Sequence, residues 1–142
     1  MPSTSHVKWT GSLMEGSGTI ESTTGSVSAT YEANSRFGGG TGTNPEELLA
    51  AAHASCFSMA LALVLDRAGH DPQSIETDAH VYLRKQGEGY EIHKIELETA
   101  ATVPGISEED FREHAETAKR GCPVSKALAS VPEITVDAKL AG

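Results

Sequence analysis

The chain has 142 residues, the size of one domain, and its 20 acidic and 11 basic residues give a net charge of −9. This acidic surplus argues against nucleic acid and anionic membrane surfaces as partners, because both are bound through basic patches. The sequence does not open with a basic segment and an apolar run, so we expect no secretory signal. Two cysteines without such a signal predict a reducing compartment, the cytoplasm, where a disulfide is transient and functional.

The first part of the chain has the composition of β-strands. Residues 6–33 contain short runs of Val, Thr, Ile and Ser, interrupted at Gly16-Ser17-Gly18 and Thr24-Gly25, which predicts a β-meander. Residues 34–42 are predicted to form a flexible glycine-rich loop whose only cation is Arg36. The loop lacks the spacing and the lysine of a phosphate-binding P-loop, so we do not assign phosphate to it.

A long helix is predicted next. Asn44 is a natural N-cap, Pro45 suits the first helical position, and Glu47 is placed to complete a capping box. This leaves Glu46 available for another role. The helix is expected to run to about residue 68, where Gly69 supplies a left-handed residue. Its apolar part is too short and too rich in alanine for a membrane span, so we predict a buried core helix.

The remaining segments complete an α+β pattern. Residues 75–86 and 89–101 are predicted to form a hairpin, in which Ile92 interrupts the alternation as at a bulge. Ser107 caps a second helix that ends at Gly121, and a short third helix follows to about residue 129. Residues 132–141 give a last strand. No linker or repeat divides the chain, so residues 1–142 are predicted to be a single domain.

Cys56 lies near the middle of the long helix. Only the thiolate is a good nucleophile, and a thiol with a pKa of about 8.5 is only about 3% ionised at pH 7. Burial in an apolar helix lowers that fraction, so a catalytic Cys56 needs a nearby cation, for which Arg36 is the candidate. The alternative is a free cysteine that packs as a small core hydrophobe.

The helix geometry also bears on Glu46. Steps of three and four residues place one face along Leu49, Ala52, His53, Cys56, Ala60 and Leu63. Glu46 is ten residues from Cys56, about 15 Å along the axis and about 80° around it, so the two side chains cannot meet within one helix. They could meet if two copies of the helix crossed antiparallel near the alanines 50–52. We therefore hypothesise a homodimer with a shared site.

Metal binding is not favoured by the sequence. His53 and Cys56 have ligand spacing, but a structural zinc site needs four ligands, and no CxxC or HxxxH motif supplies the rest. A hydrogen-bonded core histidine is the expected role for His53. Cys122 precedes Pro123 at a helix start, where backbone N–H groups stabilise a thiolate, and it suits a resolving thiol or an ordinary capping position.

The segment from Thr43 to Leu61, with Asn-Pro-Glu-Glu at its start and Ala-His-Ala-Ser-Cys-Phe in its middle, resembles the central helix signature of the OsmC/Ohr family of thiol-dependent peroxidases, and the OsmC branch in particular. The resemblance extends over nearly the whole chain. Further matching segments are Trp9-Thr-Gly11, Ser35-Arg-Phe37, residues 103–106 and residues 118–125.

The resemblance implies a fold and a set of roles. Family members are intertwined homodimers with curved antiparallel sheets around long central helices. By motif position, Cys56 corresponds to the peroxidatic thiol and Cys122 to the resolving thiol, which would form a Cys56–Cys122 disulfide. Arg36 corresponds to the arginine that stabilises the thiolate, and Glu46 to the glutamate that holds that arginine.

The resemblance also implies a substrate class. Members reduce organic hydroperoxides, and hydrogen peroxide less well, in oxidative and osmotic stress defence. They use no metal or cofactor, and an external dithiol, often of lipoyl type, returns the electrons. The apolar side chains Phe37, Leu49, Phe57 and Met59 are expected to receive the peroxide tail, although each is also suited to core packing. A non-catalytic thiol sensor or binding module is the alternative.

Overall fold

The computed structural model describes residues 1–141. The chain forms two compact units, one from Met1 to Leu48 and one that begins at Leu49. Each unit is described by itself below. The single domain over residues 1–142 stays a prediction.

The N-terminal unit contains the predicted meander. Strands β1 (Ser5–Thr10), β2 (Ser17–Ser22) and β3 (Ser28–Tyr31) form an antiparallel sheet in sequence order. Gly18 lies opposite Tyr31, and a Cβ at this position would lie 2.3 Å from the Tyr31 ring, so only glycine fits. The tyrosine ring in turn lies 5.3 Å from the ring of Trp9, measured between centroids.

The segment after β3 is more ordered than the sequence predicts. Residues Ala33–Phe37 form a 3-10 helix, so the prediction of a loop over 34–42 is wrong for its first residues. The Glu32 carboxylate accepts hydrogen bonds from the backbone N–H groups of Thr41 and Gly42, at 3.1 and 3.0 Å. These bonds close the glycine-rich stretch onto the end of β3, which the sequence alone did not indicate.

Helix α1 (Pro45–Arg67) begins and ends where the sequence predicts. The Asn44 side-chain oxygen accepts from the backbone N–H of Glu47 at 2.8 Å, which confirms the N-cap. The predicted capping box is incomplete, since the Glu47 carboxylate accepts from the Thr43 hydroxyl instead of the Asn44 backbone. Gly69 adopts a φ of 85°, as expected for the residue that ends the helix.

The second unit contains a three-stranded sheet. Strands β4 (Ser74–Gln86) and β5 (Gly89–Thr102) form an antiparallel hairpin, and Gly87 has the positive φ, 61°, that a tight two-residue turn requires. The register shifts opposite Tyr82, where His93 is the extra residue, so the predicted bulge lies next to Ile92.

Strand β6 (Glu133–Leu140) corrects one family-based expectation. It pairs with β5 in parallel, so this sheet is mixed and not wholly antiparallel. The physical reason is the connection, because helices α2 (Glu108–Gly121) and α3 (Pro123–Ala127) carry the chain back before β6 begins. The Ser107 hydroxyl caps α2 by accepting from the Asp110 backbone at 3.1 Å, as predicted.

The core of the second unit forms around one stripe of α1. His53, Phe57, Leu61 and Leu65 follow one another at four-residue steps, and all are fully buried. They face a cluster contributed mainly by β5 and α2, with Leu97, Ala101, Phe111, Ala115 and Ala118. The face predicted from Leu49 to Leu63 runs along the edge of this stripe, so that His53 is buried whereas Ala52 and Leu63 are exposed.

The opposite stripe of α1 is apolar and exposed in the single chain. It includes Ala52, Ser55, Met59 and Leu63, and Met59 is 75% exposed. The helix is long and apolar enough to cross a membrane, a criterion that core helices of soluble proteins also meet. Its two stripes differ in burial and not in polarity, so the prediction of a buried core helix is confirmed for one side only.

Candidate active site

Two elements of the second unit bring the cysteines together. Cys56 lies on α1 next to the buried stripe, and Cys122 occupies the junction where α2 ends and α3 begins. Cys122 belongs to the buried core cluster and Cys56 packs against that cluster, so each thiol affects the pKa of the other, and both are free thiols. The pair that the sequence could only suggest is thus brought together by the packing of α1 against the core.

The two sulfurs differ in access to solvent. Cys122 is fully buried, whereas Cys56 is partly exposed. Of the two cysteines, Cys56 is therefore the one that a solvent-borne reagent can approach in this arrangement.

The two thiols also differ in acidity. Burial raises the pKa of the Cys56 thiol, and its hydrogen bond to Cys122 raises that pKa further. Burial also opposes ionisation of Cys122, but the polar groups of Ser125 and the Cys56 thiol favour its thiolate and lower its pKa overall. Cys122 is therefore the more acidic thiol of the pair, and Cys56 needs a further stabilising group to ionise.

Ser125 extends the thiol pair into the core. Its hydroxyl lies 2.7 Å from Nε2 of His53, and both residues are buried. The prediction of a hydrogen-bonded core histidine is confirmed by this contact. The pKa of His53 is lowered because burial penalises the imidazolium form. Ser125 was not singled out by the sequence; the four-residue sequence Cys-Pro-Val-Ser, which places it one helical turn after Cys122, was the available signal.

The N-terminal unit contains the predicted ion pair. The Nε of Arg36 donates to both carboxylate oxygens of Glu46, at 2.8 and 3.1 Å. Glu46 is buried, and the Arg36 side chain is about two-fifths exposed. Asn44 fixes the same segment by donating from its amide to the Ser35 carbonyl at 3.1 Å. The Glu46 carboxylate thus holds the guanidinium of Arg36 through its Nε.

A groove of about 320 Å³ adjoins this ion pair within the N-terminal unit. Arg36 and Glu32 form the charged part of its wall, and the remaining residues are Trp9, Leu13, Tyr31, Ala33 and Pro45. Trp9 was noted in the sequence only for its family resemblance, and no role in a site was predicted for it. The groove combines a largely apolar surface with one cationic and one anionic residue.

The four predicted tail-binding residues have different environments. Phe57 is fully buried in the core cluster, so it packs and is not available to a ligand in this arrangement. Phe37 and Met59 are exposed, and Leu49 is half-buried. Among residues 1–141, no group of three or more His, Cys, Asp and Glu side chains is arranged to hold a metal ion.

Comparison with known proteins identifies the family. Residues 38–137 match the family model described as OsmC, OsmC-like protein. The chain is 47% identical over 133 residues to Peroxiredoxin OsmC of Escherichia coli, which covers 93% of this chain and 92% of that protein. The chain belongs to the OsmC family.

Other relatives of this OsmC-family chain include organic hydroperoxide resistance proteins. It is 31% identical over 101 residues to the organic hydroperoxide resistance protein-like 2 of Staphylococcus epidermidis, covering 70% of this chain and 69% of that protein. The Bacillus subtilis organic hydroperoxide resistance protein OhrB has the same fold, with a TM-score of 0.69, 28% identity and coverage of 97% and 98% of the two chains. A Legionella pneumophila OsmC structure matches with a TM-score of 0.71, 25% identity and coverage of 98% and 97%. The α+β, OsmC-like fold class is thereby confirmed.

Proposed function

We propose that this protein reduces organic hydroperoxides to alcohols with Cys56 as the peroxidatic thiol and Cys122 as the resolving thiol. That it is a cysteine-based peroxidase follows from its family and from relatives named as a peroxiredoxin and as organic hydroperoxide resistance proteins. The observation that supports the two roles is the pair of neighbouring thiols with unequal burial, in which Cys122 is buried and Cys56 is partly exposed.

The proposed cycle has three steps. The Cys56 thiolate attacks the distal peroxide oxygen, the O–O bond breaks, and the alkoxide leaves as an alcohol after it takes a proton. Cys56 is then a sulfenic acid. The Cys122 thiolate attacks its sulfur, hydroxide leaves as water, and a disulfide forms. An external dithiol, of the lipoyl type, reduces this disulfide to two thiols and is itself oxidised to a disulfide.

The Arg36–Glu46 pair is assigned to activation of Cys56. The pKa of Cys56 is raised by its own surroundings, so a positive charge has to offset that effect before the thiolate can form near neutral pH. Arg36 is always protonated, and Glu46 fixes its orientation. Arg36 and Glu46 match the family signature by motif position, and this assignment gives each of them a physical role.

The apolar groove beside Arg36 supports an organic peroxide as substrate. An alkyl or aryl tail is stabilised by apolar walls such as those of Trp9 and Tyr31, which hydrogen peroxide cannot use. Exposed Phe37 and Met59 and half-buried Leu49 keep their proposed role as further tail contacts. Phe57 is assigned to the core instead.

The assembly and location proposed from the sequence are retained. A homodimer would cover the exposed apolar stripe of α1, which a helix of a monomer does not normally leave open to water. A cytoplasmic location keeps both thiols reduced between turnovers. Neither nucleic acid nor a membrane is a proposed partner, and the proposed role is defence against oxidative and osmotic stress.

Steady-state consumption of cumene hydroperoxide with a dithiol reductant tests the proposal. We expect Cys56→Ser to lose turnover to the uncatalysed rate. We expect Cys122→Ser to form a stable sulfenic acid and to turn over with a monothiol that reduces Cys56 directly. Wild-type turnover by Cys56→Ser would reject the peroxidatic role. A wild-type protein that oxidises once and is not recycled by any dithiol would be a sensor and not an enzyme.

A further inference from the structure

The segment that carries Arg36 is a closed loop between β3 and α1. Its two ends meet, because Thr43 forms a parallel bridge with Tyr31 and its backbone N–H donates to the Thr30 carbonyl at 2.9 Å. A loop whose ends are close is held in its shape by its own internal contacts. The orientation of Arg36 therefore depends on the contacts inside the loop, as well as on the ion pair with Glu46.

The ion pair by itself is a weak constraint on Arg36. The Arg36 side chain is about two-fifths exposed, and ion pairs open to water contribute little because they cost side-chain entropy and are screened by salt. The 3-10 helix that carries Arg36 has five residues, and no side chain caps its start. Hydrogen bonds in a 3-10 helix are poorly aligned, so the turn gains little stability from them. A further contact is needed to fix this turn.

The hydroxyl of Ser35 makes that contact. Its oxygen lies 2.7 Å from the carbonyl oxygen of Glu32 and 2.6 Å from that of Thr43, and Ser35 is half-buried. A serine hydroxyl has a single proton, so the two carbonyls share it. One carbonyl precedes the 3-10 helix and the other lies just before α1. The hydroxyl therefore joins the two ends of the loop from the inside.

Asn44 holds the main chain of the same serine. Its side-chain nitrogen donates to the Ser35 carbonyl at 3.1 Å, while its side-chain oxygen caps α1 through the Glu47 N–H at 2.8 Å. Ser35 is thus fixed by its hydroxyl and by its carbonyl, and both contacts lead to the residues that begin α1. Arg36 is the next residue, and Glu46 lies in the first turn of α1. The two partners of the ion pair are therefore built on one hydrogen-bonded junction.

We propose that Ser35 is a positioning residue, whose hydroxyl fixes the backbone of Arg36 on the start of α1 so that the guanidinium is held ready to activate Cys56. This role rests on the activation of Cys56 proposed above for Arg36. Without the hydroxyl, the loop keeps its cation, but the two carbonyls lose their shared donor and Arg36 gains alternative orientations. The cation then spends part of its time away from the position in which it stabilises the thiolate.

Hydrogen exchange of the loop is the readout that does not depend on activity. Ser35→Ala removes one hydrogen bond, which changes a local opening equilibrium about fivefold, so peptides that cover residues 33–43 should exchange about fivefold faster. Ser35→Thr keeps the hydroxyl and should exchange at close to the wild-type rate. Ser26→Ala, at an exposed serine of the same unit, is the matched control.

The pH profile of sulfenic acid formation connects the loop to the chemistry. Stopped-flow reaction with cumene hydroperoxide gives the rate at each pH, and the midpoint of its rise reports ionisation of Cys56. We expect Ser35→Ala to move this midpoint upward by about half a unit, with a rate about threefold lower at pH values below it, and Ser35→Thr to restore it.

Ile20→Val is the control for a loss of stability alone. It removes a buried methyl group from β2, away from the loop, so it should lower the unfolding temperature without moving the midpoint. A merely structural role for Ser35 would give the same result as Ile20→Val.

Three outcomes would overturn the positioning role of Ser35. They are unchanged exchange in Ser35→Ala, faster exchange with an unmoved midpoint, and a Ser35→Thr variant that behaves like Ser35→Ala. Arg36→Ala, measured in parallel, would in these cases still show a raised midpoint and leave the activating role of Arg36 intact. If Arg36→Ala also leaves the midpoint in place, the activating role itself is rejected, and the positioning role with it.

Discussion

At the scale of single residues, the two sulfurs of this protein have opposite properties. Cys56 is accessible but its pKa is raised, and Cys122 is buried but its pKa is lowered. A nucleophile for peroxide needs both access and ionisation, so neither residue meets the requirement by its own surroundings. This division of properties is the reason for proposing a separate cation, Arg36, in the first step of the cycle.

Replacement of Arg36 tests this requirement. Arg36→Ala removes the positive charge, so the pKa of Cys56 should rise and the rate of sulfenic acid formation at pH 7 should fall at least tenfold, since each pKa unit reduces the thiolate fraction about tenfold. Arg36→Lys keeps the charge but not the planar geometry, so its rate of sulfenic acid formation should lie between those of the wild type and Arg36→Ala. Stopped-flow reaction with cumene hydroperoxide measures the rate.

Arg67→Ala is the control, because Arg67 is exposed at the last position of α1. Equal rates for Arg36→Ala and Arg67→Ala would remove Arg36 from the site. Unfolding by urea should be recorded as well, since Arg36→Ala leaves the buried Glu46 carboxylate without its partner.

The residues of the site were predictable to different degrees. Cys56, Cys122 and the contact of Arg36 with Glu46 followed from motif positions, and the hydrogen-bonded core role of His53 followed from its place on an apolar helix. Ser125 and the groove beside Trp9 were missed, because their roles depend on how distant segments pack and not on local sequence. Phe57 was placed in the substrate site because an apolar residue beside a reactive cysteine has the same local pattern whether it faces a ligand or the core.

At the scale of secondary-structure elements, α1 is the feature that most constrains the assembly. Its stripe from His53 to Leu65 lies in the core, and its opposite stripe with Met59 and Leu63 is apolar and open to water in a single chain. A helix that is apolar on all sides is stable in water when both sides are covered. A second copy of α1 provides a matching surface, as the small side chains at 50–52 suggested.

A charge on the exposed stripe should prevent this association. Met59→Glu places an unpaired carboxylate within the proposed interface, which costs about 3 kcal/mol or more, a loss of over a hundredfold in dimer affinity. Size-exclusion chromatography with light scattering should show a wild-type dimer and a monomeric variant. Met14→Glu, at a methionine that is 62% exposed in the N-terminal unit, should remain dimeric. A monomeric wild type, or a dimeric Met59→Glu, would contradict the assignment.

At the scale of the whole molecule, order and type of the elements were predictable and one pairing was not. Caps at Asn44 and Ser107 and the turn at Gly87 are encoded by neighbouring residues, so α1, α2 and the hairpin appear where predicted. The direction of β6 depends on the path of α2 and α3, and the family expectation of antiparallel sheets was wrong there. The closure of the glycine-rich stretch was missed because it depends on the Glu32 carboxylate, which lies outside that stretch.

Stability of the fold should depend on pH through His53. Its pKa is lowered in the folded protein, so below pH 6.5 the unfolded chain binds a proton that the folded chain does not. The free energy of unfolding should therefore fall as pH decreases from 6.5, by up to about 1.4 kcal/mol per pH unit from this residue. Urea unfolding between pH 7.5 and 5 measures this slope.

His53→Gln should reduce the slope, and His6→Gln, at an exposed histidine, should leave it as in the wild type. Parallel slopes for wild type and His53→Gln would mean that other groups account for the acid sensitivity. The slope is compared and not the absolute stability, because the substitution also changes packing at neutral pH.

The complete burial of Cys122 has a consequence for the return of electrons. Once a disulfide has formed, an incoming dithiol can attack only the sulfur that solvent reaches, which is Cys56, so the mixed disulfide forms there and Cys122 is expelled. A departing sulfur leaves faster when its pKa is low, and Cys122 meets that condition. Oxidant and reductant then enter by the same opening and exclude one another. The enzyme would therefore bind them alternately at the same opening and show ping-pong kinetics.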